Sequence, residues 1–276
     1  MPSTMSLGKD NIPPSALYTA ATWRWGKLPG ADLVTPPNAR PVFRAMNAYL
    51  TLYGLVNPGW HSLKHTLLHR HAGIEHLLRE SNCSQVIEIA AGFSPRGSAI
   101  SADPSIRYFE VDLPPVIAAK RALLRATPAG QMVLRRANLA LLEGDATAMD
   151  WNRFAACPSF IITEGLMMYF ARAAQMLIWR AIAEFLRINR GEYVFDYLPV
   201  PDEPRRSFAG RLLSRMRGPQ RRAFACDGRN RHEIADDLRA AGFTKIAVHP
   251  SADFASAWNL PHAKAHTRVI LYRCRC

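Results

Sequence analysis

Four short segments end an apolar run with an acid or a string of small residues, the pattern a nucleoside crevice needs. The first is EIAAGFSPRG (88–97), where Ala90, Gly92 and Ser94 stand two apart. Small residues in such a turn let a ligand approach the backbone closely; the same spacing also serves any tight turn of an α/β protein. The second, YFEVD (108–112), puts Asp112 20 residues beyond Gly92. At that separation an acid accepts hydrogen bonds from ribose hydroxyls. Glu110 shares a strand face with Asp112, so either acid fits that role. The third, LEGDA (142–146), ends on Asp145, a short carboxylate able to meet an adenine amino group or to close an Asp turn. The fourth, IITEGLMMYF (161–170), sets Glu164 at a strand end where open α/β sheets bind ligands. Gly165 leaves room beside it, and Leu166, Met167, Met168 and Tyr169 read as core or pocket wall.

The elements that must carry these segments alternate. Short apolar runs at 85–90, 106–112, 139–143, 159–163 and 192–196 read as buried strands, with helical stretches between them at 114–126 and 171–189. This order predicts a doubly wound, mostly parallel sheet with helices on both faces. After a helix at 231–241, stopped by Gly242, come two strands, 243–249 and 267–274, with no helical pattern between them. They are expected to pair antiparallel at a sheet edge. Five alternating strands closed by a helix and a hairpin form the seven-stranded arrangement of class I methyltransferases. A nicotinamide dehydrogenase half would continue strand–helix–strand. Ahead of the sheet, prolines 13, 14, 29, 36, 37 and 41 predict irregular chain over the first forty residues, and helices follow at 41–53 and 62–79. The expected organisation is an irregular and helical N-terminal cap over 1–80 and a cofactor-binding domain over 81–276.

Composition narrows the setting. The 276 residues are 49% hydrophobic and 21% charged, enough for a sizeable core and against wholesale disorder. No apolar run reaches the roughly 18–20 residues of a membrane span, and the N-terminus lacks the apolar segment of a secretory signal. Five scattered cysteines without a CxxC pair point to a reducing, cytoplasmic setting with neither disulfide scaffold nor structural zinc. The formal charge of +13 suits an anionic partner, although arginine far outnumbers lysine, as a GC-rich genome alone would produce. Nucleic acid is disfavoured, because no binding motif is visible and no aromatic residues interleave with the basic ones.

Taken in order, IEIAAGFSPRG, YFEVDLPPVIAAKRALL, LLEGDA and ITEGLMMYF resemble the motifs of the leucine carboxyl methyltransferase family, a branch of the class I S-adenosylmethionine-dependent methyltransferases. SALYTAATW (15–23) is similar to the start of bacterial members, some of which, like the tetracenomycin-type enzymes, methylate polyketides. The resemblance implies S-adenosyl-L-methionine as cofactor. It implies that Gly92 with Glu88, Ala90 and Ala91 lies under the methionine part, that Asp112 holds the ribose and that Asp145 with Ala146 meets the adenine. Glu164 would lie near the amino-acid end, and Arg70 would meet the carboxylate. Tyr18, Thr19, Trp23 and Tyr169 would line the acceptor site. The family often has Asp-Thr-Arg after its first motif; here Ser94-Pro95-Arg96 keeps only the arginine.

The implied reaction is O-methylation of a small molecule, with a carboxylate as first choice and a phenol or alcohol as alternative on the same scaffold. A carboxylate is ionised at neutral pH and needs no base, so positioning suffices and no catalytic residue is assigned. His61, His65, His69, His71 and His76 receive no role. The stretch 204–231 carries nine arginines and one acid. It reads either as a lid that attracts an anionic or carrier-protein-bound substrate or as a solvated basic helix.

Overall fold

A computed structural model describes residues 14–56, 61–197, 228–265 and 267–276. Four strands form its centre because their residues are apolar enough to be buried on both faces. They are β1 (Gln85–Ile89), β2 (Arg107–Asp112), β4 (Ser159–Thr163) and β5 (Gly191–Tyr197). With β3 (Leu139–Glu143), β6 (Lys245–Pro250) and β7 (Ile270–Arg275) they make a seven-stranded sheet in the order β3-β2-β1-β4-β5-β7-β6. β1 pairs in parallel with both β2 and β4. The chain winds outward in opposite directions from that point, so a crevice opens beyond the carboxyl end of β1. β7 runs antiparallel to β5 and to β6, as the hairpin reading required, and lies between them.

Each face of the sheet is packed by helices with apolar residues at three- and four-residue spacing. On one face α8 (Arg172–Asn189) sets Ile178, Trp179, Ile182 and Leu186 against Phe195, Tyr193 and Tyr272. α9 (Arg231–Ala241), opened by an Asn230–Glu233 capping box and stopped by Gly242 at φ 117°, adds Ile234 and Leu238. On the other face α4 (Leu63–Glu80) sets Ile74 and Leu77 against Phe160, Val194 and Leu271. After β1 comes the short α5 (Arg96–Ile100); α6 (Pro114–Arg125) and α7 (Pro128–Leu134) follow β2.

Two expectations fail. The segment expected to be irregular holds α1 (Pro14–Trp25) and α2 (Ala31–Val34), ahead of α3 (Ala39–Val56). Pro14 sits at the first turn, where proline is tolerated. The next eleven residues are proline-free and are buried on most sides (Leu17, Tyr18, Ala20, Ala21, Thr22, Trp23), so no single apolar stripe betrays the helix. The second failure is α10 (Ser251–Ala257), between β6 and β7, which is too short to show a period. The basic stretch 204–231 lies outside the described residues up to 227; within it, Arg229 is buried and paired with Asp237. No helix among the described residues is long and apolar enough to cross a membrane.

Candidate functional site

The loop that leaves β1 turns sharply. Ala90 has φ 56° and Gly92 φ 53°, both left-handed. The N–H of Gly92 donates to Asp112 Oδ2 (2.6 Å), and the N–H of Leu113 donates to Oδ1 of the same carboxylate (2.7 Å). Burial pushes the Asp112 carboxyl up, and the two N–H bonds oppose that shift. Asp112 therefore stands at the rim, tied to the β1 loop. A Cβ on Gly92 would meet no atom within 4 Å, so the space above this loop is open.

Glu110 lies lower. It is fully buried and ion-paired with Lys120 (2.5 Å), whose ammonium also donates to the Ser94 carbonyl (2.6 Å). The two acids thus part in space: Asp112 faces the rim, and Glu110 anchors α6 beneath it. Asp145 is exposed, and its Oδ1 accepts from the N–H and the hydroxyl of Thr147 (2.8 and 2.7 Å). It thus closes its own turn, with Ala146 half-buried beside it.

Under the rim lies a cluster of buried charges. Arg70 donates from Nε to Glu164 Oε1 (2.9 Å) and from Nη1 to Asp196 Oδ2 (3.2 Å). Its Nη2 has no partner among the described residues. A side chain on Gly165 (φ 67°) would stand 2.9–3.2 Å from this guanidinium, so glycine is what lets Arg70 pass. Asp196 also accepts from the Gly165 N–H (2.5 Å). Glu164 Oε2 accepts from Arg96 Nη2 (2.7 Å) and lies 3.1 Å from His71 Nδ1. Arg96 also pairs with Glu88, which accepts from the Tyr108 hydroxyl (2.8 Å). Burial opposes ionisation of Glu164, but His71, Arg96 and Arg70 outweigh it and hold its carboxyl well below the usual range. Glu88 is buried and fixes Arg96 from below, so its part in a cofactor site is indirect. Sequence reasoning missed Asp196 and His71. The signal for Asp196 was present, an acid ending the fifth strand as Glu164 ends the fourth; that for His71 was only its place beside Arg70.

The four residues expected at the acceptor separate. Trp23 is buried, with its ring centroid 5.1 Å from that of His71, and its indole N–H has no partner among the described residues. Tyr18 stacks on Phe43 (5.5 Å) and donates to Asn47 (3.2 Å), and Thr19 donates to the Ser15 carbonyl. Both serve the packing of the helical cap. Tyr169 is 44% exposed on the turn Met167–Tyr169.

Comparison with known proteins shows the family and the fold. The model of the leucine carboxyl methyltransferase family matches residues 39–183. A protein of Mycobacterium tuberculosis named as an S-adenosyl-L-methionine-dependent methyltransferase is 32% identical over 122 residues, which are 43% of this chain and 40% of that protein. The same figures hold for a protein so named in Mycobacterium bovis. The match thus spans less than half of these relatives. Among solved structures, one from Nostoc punctiforme named as an O-methyltransferase superposes with a TM-score of 0.51 at 14% identity, covering 76% of this chain and 57% of its own. One from Bordetella parapertussis named as an exported protein reaches 0.53 at 16% identity, over 99% of both chains. These two show a shared fold.

Proposed function

The chain belongs to the leucine carboxyl methyltransferase family, and on that premise we propose that it methylates a carboxylate of a small organic molecule, polyketide-like or another secondary metabolite, using S-adenosyl-L-methionine. The observation that carries this reading is Asp112, clamped to the Gly92 amide beneath open space at the point where the strand order reverses. The residues present fit the cofactor. The loop 90–92 offers bare backbone, Asp112 keeps lone pairs for ribose hydroxyls, and Arg70 has a free Nη2 beside Gly165 for a carboxylate. Asp145 and Ala146 stand at the end of β3 for the base, and Glu164 holds Arg70 in place.

Bound there, the cofactor supplies a methyl group activated on a sulfonium. The protein's task is alignment and the exclusion of water. Charge disappears when a carboxylate takes the methyl group, so a dry, weakly polar pocket favours transfer.

Calorimetry with S-adenosylhomocysteine tests this reading directly. The wild-type protein should bind it, and Asp112→Ala should weaken binding at least tenfold with the fold intact by circular dichroism. Absence of binding by the wild-type protein would overturn it. The acceptor class is read from the pH profile of turnover. A carboxylate should give a nearly flat profile from pH 6 to 9, whereas a phenol should give a rising one.

A further inference from the structure

A second concavity lies between α1 and α3, a cleft of about 460 Å³. Its floor includes Ala21, Trp25 and Phe43 form walls, and three guanidinium groups, Arg24, Arg40 and Arg44, surround it. No acid lines it. Arg24 has one acidic partner, Asp32 (2.7 Å), and both side chains are mostly exposed, so the pair neutralises little. Arg40 and Arg44 make no ion pair among the described residues. They stand one helical turn apart on α3, where like charges repel. A cleft with an apolar lining and a positive charge that no acid among the described residues balances is complementary to an anion with an apolar body.

The surroundings of Trp25 strengthen this reading. Lys64 Nζ lies 4.3 Å from its ring centroid, and the His262 ring stacks on it at 5.5 Å and 14°. Burial, with His262, Lys64 and His69 adding repulsion, lowers the neighbouring His65 to about 4. The wall of the cleft therefore sits in a positive field that further protonation would only raise. The cleft is also separate from the crevice at Asp112. Trp23, two residues before Trp25, turns towards His71. Two residues along a helix turn through about 200°, so Trp25 and the cleft face away from the buried charge cluster. A volume of this size suits a small ligand rather than a polypeptide segment.

We propose that the α1–α3 cleft is a binding site for a small aromatic carboxylate or sulfonate, its apolar body against the lining of Ala21, Pro36 and Phe43 and its anionic group held by Arg40 and Arg44. The site is distinct from the methyl-transfer crevice, and the proposal does not depend on the methyltransferase reading. The ligand's charge rather than its apolar area sets the affinity, because Arg40 and Arg44 have no acidic partner among the described residues.

The test is titration calorimetry of the full chain with 2-naphthoate and with its neutral isostere 2-naphthamide at low ionic strength. Naphthoate should bind at least tenfold more tightly than naphthamide, and added salt should shrink the difference. The exposed double substitution Arg40→Gln/Arg44→Gln should abolish the difference while leaving S-adenosylhomocysteine affinity unchanged. Equal affinity for the two compounds in the wild-type protein would overturn the proposal. So would undiminished naphthoate binding in R40Q/R44Q, which would place the anion elsewhere, the cofactor crevice included. Failure to bind S-adenosylhomocysteine would count against the proposed function alone, since the naphthoate comparison stands without it.

Discussion

Arginine serves two opposite purposes in this molecule. Beneath the rim, Arg70 and Arg96 are buried and locked between carboxylates: Glu164 and Asp196 for the first, Glu88 and Glu164 for the second. On the cap, Arg40 and Arg44 are exposed with no acid opposite them among the described residues. A buried guanidinium needs every donor matched, because desolvation is costly and its planar fork fits carboxylates two at a time. Such residues fix geometry and have little left to offer a ligand; among the described residues only Nη2 of Arg70 and the buried Nε of Arg96 lack a partner. The exposed pair contributes little to the fold and keeps its full hydrogen-bonding capacity for something else.

The contrast can be broken by substitution. Arg96→Met should cost about 3–5 kcal/mol, because it leaves Glu88 and Glu164 buried without their partner; urea denaturation measures this. A loss below about 1 kcal/mol would mean that the cluster is wetter than its geometry implies. Acid gives the next largest effect. Burial opposes ionisation of Glu75, but the His71 hydrogen bond and the charges of His71, Arg96 and Arg79 bring its carboxyl down to about 2. Its contribution is then fully present above the unfolded value near 4.5 and is lost as pH falls from there towards 2. By linkage it amounts to about 3 kcal/mol. Glu75→Gln should remove that part of the acid slope in a stability-versus-pH series. The smallest effect belongs to the exposed side of the comparison. Arg40→Gln should change stability by less than about 0.5 kcal/mol, with a slight gain where repulsion from Arg44 is relieved.

The sheet was legible in the sequence because strands buried on both faces read as apolar runs, and its antiparallel closure because 231–276 departs from strand–helix alternation. The place of Asp112 at the end of β2 was legible from its distance to Gly92, and Arg70 was singled out only as an arginine of the N-terminal helices. Their surroundings were not. Arg70 meets Glu164 and Asp196 across 94 and 126 residues of chain, and contacts that long leave no local pattern. The helix α1 escaped notice for a different reason: it is buried on most sides, so the periodicity that marks an amphipathic helix is missing.

The placement of β7 has a consequence for the order of assembly. It leaves the ribosome after β6, yet it occupies the position between β6 and β5, pairing with both over residues 193–197 and 245–250. Until Ile270–Arg275 has emerged, β5 has no neighbour on that side and β6 has nothing to dock on. The half of the sheet that carries Asp196 therefore stays open during synthesis, and a nascent chain stalled short of residue 270 would display an adhesive strand edge to the cell.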